Sequence, residues 1–574
     1  MKEMFYKFYL PLISLILITF SLGFFYLSRP NVQLAGDIVE YYGITESLKN
    51  HFSFNLTNID QQNLEKVLHP EYFLDPGYYI FGKDNNKYPV HFVFYSILAT
   101  PIRLILEFTN QNPLLSLTFL NLSLILLILL ALIWHERNKN PILLLTIFFS
   151  SPLIFFIPWP GPDIFYTLFL LISIYYFLNG KILISAIFAT FASWHSQPLA
   201  IFSVVFTFYY FLTHKHILDI YNHKKIKLNF LKPFFVSILI AFVLFVPYIF
   251  NFFAFGVFTP WTLFDNWWNQ LYGFGIQNIS IKKLYEQFFD LNVGIFWYSP
   301  LLFIFGMYQL IKKTFINPKY LILLNTILIS ALFYHTNPAW HFGTSGYGPS
   351  RHIIFLIPIL ILLTYEFLQK FPLREKIKIS LILIFSQAPI LYLNGYFLPN
   401  FENTLKHNHI SRFVLNNYPH FYNPTPEIFI DRTLSQDFNY LSSSVYKNEK
   451  GECKKAYILK HNKDYLLREC GFIPNQYTYF FENDEYLLPK NYIRKVKTYE
   501  AKLIPQETVC LKSNNCISDL NEIKKIIPQK EWDRISYLEN GVWKISFGRP
   551  FELTIPTNYK AEIYHTEGLY INFY

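Results

Sequence analysis

Charge is scarce in this chain. Only 15% of its 574 residues are Asp, Glu, Lys or Arg, where a soluble globular protein carries about 25%. Nucleotide-binding signatures are missing too. No D-x-D, G-x-G-x-x-G or Walker A segment occurs, so nothing points to nucleotide-sugar or ATP chemistry. Cysteine is rare and confined: Cys453, Cys470, Cys510 and Cys516 all fall in the last quarter, and no C-x-x-C spacing suggests zinc.

Hydrophobic residues make up 52% of the chain and aromatic ones 20%. The apolar residues come in runs of 16 to 22, the length that crosses a bilayer core of about 30 Å as helix. The composition predicts a polytopic α-helical protein surrounded by membrane lipids. The first run, 9–26, follows Lys2 and Lys7 and ends at Ser28-Arg29-Pro30. That is no small-residue cleavage site, so the segment reads as an uncleaved anchor.

The net charge of +10 reports topology and calls for no nucleic acid. Basic residues gather in short loops: Arg137 and Lys139; Lys215, Lys224, Lys225 and Lys227; Lys312, Lys313 and Lys319; Lys370, Arg374, Lys376 and Lys378. Such loops stay in the cytoplasm. With the N-terminus inside, eleven crossings follow: 9–26, 113–134, 141–157, 163–178, 181–194, 197–212, 233–254, 296–312, 319–334, 352–368 and 377–396. The segment 89–108 is apolar but carries Pro101, Arg103 and Glu107. It is expected to lie on the outer face as an interfacial or re-entrant helix.

The chain thus divides into a membrane unit, 1–396, with an outer loop over 28–88, and a soluble unit, 397–574. In the second unit long apolar runs stop and short alternating stretches such as Val542-Trp543-Lys544-Ile545-Ser546-Phe547 predict strands. An odd number of crossings leaves this α+β unit outside. Its even cysteine count suggests disulfides in an oxidising compartment, with near neighbours pairing: Cys453 with Cys470, and Cys510 with Cys516.

The polar residues that remain collect at outer turns. Asp37 and Glu40 stand three apart and would share a helix face. A partly buried carboxylate there can accept the proton of an attacking hydroxyl. Asp163 follows Trp159-Pro160-Gly161-Pro162 and opens a helix, where it serves either as a helix cap or as a second acid. Gly346-Tyr347-Gly348-Pro349-Ser350-Arg351-His352 pairs permissive backbone with a guanidinium suited to phosphate. Trp194-His195-Ser196-Gln197-Pro198 forms another polar outer turn. Trp159, Trp194, Trp261, Trp267, Trp268, Trp297 and Trp340 fall in or beside such turns, which fits both an aromatic belt and rings that stack on sugars.

These segments resemble the GT-C superfamily of polyprenyl-phosphate-dependent glycosyltransferases, in the branch of protein O-mannosyltransferases and lipid A aminoarabinose transferases. Gly36-Asp37-Ile38-Val39-Glu40-Tyr41-Tyr42 is similar to the family's acidic motif, although its usual Asp and Glu are adjacent. Lys87-Tyr88-Pro89-Val90 resembles its K-P-P segment, Pro162-Asp163 its second aspartate, and Trp194-His195-Ser196-Gln197-Pro198 its T-K-G-P turn with histidine for lysine. Asn292-Val293-Gly294-Ile295-Phe296-Trp297-Tyr298-Ser299-Pro300 and Gly348-Pro349-Ser350-Arg351-His352 look like segments of bacterial members.

The resemblance implies an inverting transferase on the outer face of a bacterial inner membrane. Its donor would be a polyprenyl-phosphate-linked sugar and its acceptor an envelope lipid, glycan or protein. Asp37 would act as base, with Asp163 and Glu40 beside it. Arg351, His352 and His195 would contact the donor phosphate, and Trp159, Trp194, Trp340 and Tyr41 the sugar or acceptor. No cofactor is fixed, and a divalent metal stays open. The rival class, a transporter or lipid flippase, predicts polar residues near mid-membrane and an internal repeat; neither is seen.

Overall fold

The computed structural model describes residues 9–28, 37–67, 79–136, 140–213, 231–259, 275–337, 340–343, 348–394, 396–397, 405–435, 443–459 and 465–470. Beyond these it describes the backbone of strands at 495–505, 509–510, 516–517, 535–539, 542–546, 552–556 and 559–572.

Helices α1 (Leu10–Leu27), α2 (Asp37–His51) and α3 (Asn58–Val67) precede a hairpin of β1 (Tyr79–Phe81) and β2 (Lys87–Pro89). Then come α4 (Phe94–Phe108), α5 (Ser116–His135), α6 (Pro141–Phe149), α7 (Asp163–Leu178), α8 (Ile182–Ser193) and α9 (Ala200–Thr213). The bundle continues with α10 (Leu231–Leu244), α11 (Val246–Phe255), α12 (Ile281–Phe289), α13 (Pro300–Thr314), α14 (Pro318–Tyr334), α15 (Leu356–Leu368) and α16 (Leu373–Leu393). Each apolar run expected to cross a membrane carries helix. Two helices among the described residues, Pro113–His135 and Leu373–Leu393, are long and apolar enough to cross on their own, and the bent pair α10–α11 passes as one unit. The others are shorter, so eleven crossings are not established by helix length.

The core runs along α15, where every residue from Leu356 to Tyr365 is buried. A helix that is apolar and covered all round belongs at the centre of its bundle, and α15 packs against α7, α13 and α6. Outer helices show the reverse. Phe20 and Phe24 on α1, Phe235 and Leu239 on α10, and Ile382 and Phe385 on α16 are exposed. An apolar surface of that extent is rare on soluble monomers and suits lipid.

The two ends of the bundle differ in chemistry. At the end predicted to be cytoplasmic, Glu136 accepts bonds from Tyr175 (2.7 Å) and Tyr365 (3.1 Å), and Glu366 pairs with Lys313 at 2.9 Å. At the other end Asp37, His91, Asp163 and Arg351 gather. The alternation read from the basic loops thus brings together residues assigned to one side.

The segment expected at the interface forms α4, an amphipathic helix. Tyr95, Ser96, Ala99, Arg103 and Leu106 are buried, while Leu104, Ile105 and Phe108 are exposed. Its buried face lies on α2: Ser96 Oγ donates to the Tyr41 carbonyl (2.9 Å), Arg103 pairs with Glu46, and Lys49 with Glu107 at 3.0 Å.

After the bundle, α17 (His409–Asn417) and α18 (Pro426–Leu434) pack onto its loops before the sheets begin. Strands β3 (Ser444–Lys447), β4 (Cys453–Leu459), β5 (Lys495–Pro505) and β11 (Tyr559–Asn572) form an antiparallel sheet in the order β3-β4-β11-β5. The predicted strand near 542–547 is β9 (Val542–Ser546), the middle of a three-stranded sheet between β8 (Ile535–Glu539) and β10 (Glu552–Pro556). A disulfide joins Cys453 to Cys470, as expected. The register of β6 (Val509–Cys510) and β7 (Cys516–Ile517) sets Cys510 opposite Cys516; their side chains lie outside the described residues.

Candidate active site

Helix α2 begins at Asp37, which places that carboxylate at the positive end of the helix dipole. Glu40 follows within the first turn and is fully buried. A buried carboxylate with no partner is too costly to keep, and His91 supplies one. Its backbone N–H donates to Glu40 Oε1 at 2.7 Å, and its Nδ1 lies 2.7 Å from Oε2. His91 arrives there because β2 ends at Pro89 and the chain turns into α4, which is fixed on α2. Tyr79, across the hairpin, donates to the Glu40 carbonyl at 2.8 Å. It passes so close to Gly43 that a Cβ there would sit 1.8 Å from the tyrosine oxygen. Only glycine fits.

His91 Nε2 also lies 3.9 Å from Asp37 Oδ2. Burial opposes its charge, but Glu40 and then Asp37 outweigh that and raise its proton affinity above that of an ordinary histidine. Burial also raises Glu40, which His91 offsets only in part. A proton therefore sits between Nδ1 and Oε2.

Arg351 comes from the other side, in the turn before α15. Its guanidinium Nη1 lies 3.1 Å from Asp37 Oδ2, and both side chains stay about a quarter open, at 26% and 24% exposure. The turn is pinned by its backbone. Arg351 N–H donates to Phe342 O (2.7 Å), Ser350 N–H to Val293 O (3.1 Å), and Ser350 Oγ to Trp340 O (2.5 Å). Burial works against the Arg351 charge, yet Asp37 and then Asp163 outweigh it and hold the guanidinium protonated. For Asp37 burial acts upward, while the charges of Arg351 and His91 win and lower it below the usual carboxylate range.

Asp163 belongs to the same field but not to the ion pair. Its Oδ2 accepts from Trp159 Nε1 (2.8 Å) and its Oδ1 from the Tyr166 hydroxyl (2.9 Å). That hydroxyl also lies 2.9 Å from the Arg351 carbonyl, so its one proton can serve one oxygen at a time. Asn121 and Tyr95 hold the turn by bonds to the carbonyls of Trp159, Pro160 and Gly161. A Cβ on Gly161 would meet Trp159 Nε1 at 2.3 Å.

The structure therefore brings Asp37, Glu40, Asp163 and Arg351 into one cluster. It places other expected residues differently. His195 Nε2 accepts the Tyr95 N–H at 3.0 Å near the start of α4, and burial with the His91 charge holds its pKa down to about 3. The ring is thus neutral and carries its N–H on Nδ1, which has no hydrogen-bond partner among the described residues; it could donate to a phosphate oxygen but would bring no charge to it. His352 turns its Nδ1–H back to Trp340 O at 3.1 Å. Three of the four expected aromatic contacts are also closed. Tyr41, Trp159 and Trp340 are 3%, 5% and 0% exposed, with Trp340 packed beside Val293 and Ile428. Trp194 is lodged among Phe92, Phe94 and Phe191 and donates to Val243 O. Trp261, Trp267 and Trp268 lie outside the described residues. Stacking on a sugar needs an open ring face, which Tyr41, Trp159 and Trp340 do not present.

Sequence reasoning missed His91 and Tyr166. The signal for His91 was near, since the segment Lys87-Tyr88-Pro89-Val90 stops one residue short of it and Glu40 required a partner. For metal, no group of three or more His, Cys, Asp or Glu among the described residues is placed to hold an ion. The cation that Asp37 holds is Arg351.

No protein-family model matches the chain, and no curated protein matches it. Among solved structures it is similar to the archaeal oligosaccharyltransferase AglB from Archaeoglobus fulgidus, determined in complex with an inhibitory peptide and a dolichol-phosphate. The TM-score is 0.43 and the identity 11%, over 72% of this chain and 59% of that one. The chain thus spans less than two thirds of that protein's length, and no functional statement rests on a likeness of this size.

Proposed function

We propose that the chain is a membrane glycosyltransferase of the GT-C type, working on the extracytoplasmic face of a bacterial inner membrane. Its donor is a sugar carried on polyprenyl phosphate, and its acceptor is a hydroxyl of an envelope lipid, glycan or protein. The observation that carries this reading is the Asp37–Arg351 pair, 3.1 Å apart and partly open, at one end of an apolar bundle. A proton acceptor for the attacking hydroxyl and a guanidinium for the leaving phosphate are two groups that such a transfer uses, and here the two rest as a pair that substrate would part.

In the reaction the acceptor oxygen attacks the anomeric carbon from the face opposite the phosphate. Its proton passes to an Asp37 carboxylate oxygen as the new C–O bond forms. The bond from the anomeric carbon to the phosphate oxygen breaks, and its electron pair leaves on the phosphate. Arg351 balances that charge, the electrostatic contribution that is commonly the largest in such sites. Asp163, held by Trp159 and Tyr166, orients the acceptor. Glu40, with both oxygens on His91, serves that histidine and does not act as base.

The test is sugar transfer from a membrane lipid extract by purified full-length protein in detergent. Asp37→Asn keeps the shape of the side chain and removes the proton acceptor. Transfer should fall by about 10² to 10⁴ while the melting temperature holds. Transfer near the wild-type rate by well-folded Asp37→Asn would refute the base assignment. Stereochemical retention in the product would refute the single displacement.

A further inference from the structure

A resting ion pair between the base and the phosphate-binding cation poses a problem. While Arg351 holds Asp37, neither group is available to a substrate. A donor phosphate that takes Arg351 leaves Asp37 as a partly buried carboxylate without its main counter-charge. Unpaired, such a group would be pushed towards its protonated and useless form.

Resting on the reading above, we propose that His91 is a positioning residue: clamped by Glu40, it takes over Asp37 when a donor phosphodiester takes Arg351. Geometry supports the exchange. His91 Nε2 already lies 3.9 Å from the same Asp37 oxygen that Arg351 holds at 3.1 Å. The ring cannot swing away, because Glu40 fixes both its backbone N–H and its Nδ1 at 2.7 Å. Tyr41 packs beside it, with ring centroids 5.8 Å apart.

The other charged or titratable groups acting on Asp37 cannot do this. Glu40 and Asp163 are acids, and Tyr41 stays neutral, its pKa raised by burial and then by Glu40. His352 spends its Nδ1–H on Trp340 O. In the exchange Arg351 passes from carboxylate to phosphate and Asp37 from guanidinium to imidazolium. No covalent bond changes.

Because His91 must carry its proton to take over, donor binding is linked to pH. The probe is the methyl ester of a polyprenyl phosphate, a diester whose single charge is constant between pH 5 and 9. Its binding to full-length protein is measured across that range. Wild-type affinity should weaken as pH rises through the raised pKa of His91. His91→Gln should bind about tenfold more weakly where the wild-type histidine is protonated, within the usual range of coupling between linked groups, and the pH dependence left to it should be that of the stranded Asp37 carboxyl, with its midpoint moved away from the wild-type one. Glu40→Gln keeps the hydrogen-bond acceptor but loses the charge that holds the proton on His91. The midpoint should then move to lower pH by about 1 unit or more. If His91→Gln does not fold, the Glu40→Gln shift carries the test.

A pH dependence unchanged in both variants would overturn the proposal, since a merely structural histidine would lower affinity equally at every pH. Failure of the wild type to bind the diester at all would sink the transferase reading as well. Wild-type binding with unmoved variant profiles would sink the exchange alone.

Discussion

Two buried polar clusters share the loop of Gly348 to His352, and they are finished differently. In one, Asn292 Oδ1 accepts from Asn408 N–H (2.9 Å) and Ser411 Oγ (2.7 Å), while its Nδ2 donates to Tyr422 Oη (2.6 Å). Tyr422 donates in turn to Asp290 (2.8 Å), whose other oxygen accepts the N–H groups of Asn292 and Val293. The circuit closes through neutral amides, hydroxyls and backbone N–H groups around a single acid, Asp290, and Asn292, Asn408, Ser411 and Asp290 are all below 5% exposure. This seam docks α17 and α18 onto the bundle. In the other cluster charges predominate, the Asp37–Arg351 pair is about a quarter open, and one Tyr166 proton faces two oxygens. A sealed, saturated network has nothing to offer a ligand. An open one with paired ions does.

The sharpest way to break that contrast is to remove one member of each cluster. Arg351→Ala should weaken binding of the phosphodiester probe by about 30-fold or more, the loss expected when one partner of a partly buried charged contact is truncated. Its melting temperature should stay close to wild type. Asn292→Ala should do the opposite. It strands the Asn408 N–H, at about 1–3 kcal/mol, leaves the Ser411 hydroxyl only the Asn408 carbonyl at 3.1 Å, and leaves the affinity of the folded fraction unchanged. Thermal melts and binding isotherms on the same preparations decide it. If Asn292→Ala abolished binding while melting normally, the division into docking seam and reactive site would fail.

A smaller effect sharpens the comparison at Glu286, on the docking side. Burial, opposed by Lys282, pushes this carboxyl up to about 7 from an ordinary 4.5. An acid raised in the folded chain binds its proton more tightly than in the unfolded one. Its contribution to stability is therefore complete below about pH 4.5 and is lost as pH rises towards 7. Glu286→Gln, which can still accept the Thr425 N–H now 2.8 Å from Oε1, should flatten the fall in melting temperature across that window. An unchanged slope would remove Glu286 from the account.

What the sequence made legible follows from range. The apolar runs mark where helices lie, because a bundle core needs little more than apolar length. Asp37, Asp163 and Arg351 stood out because charge beside such runs is costly. Their convergence was not legible, since Asp37 and Arg351 are 314 positions apart. The aromatic residues misled for a related reason. Trp340 and Trp159 look like open rings beside turns, but their surroundings come from Val293, Ile428 and Asp163, chosen by tertiary packing. His195 stands in for a lysine only as a neutral donor, because burial and the Tyr95 N–H on its Nε2 leave the ring uncharged.

That separation of 314 positions also orders the making of the site. Glu40 meets its partner His91 only 51 residues on, so the first acid is neutralised early in synthesis. Asp37 waits for Arg351, which at about 5–20 residues per second emerges about 15 to 60 s later. During that interval His91 is the cation at hand. A chain that stops short of Arg351 holds the proton acceptor but not the guanidinium that pairs with it, so the site completes itself only when most of the bundle has been built.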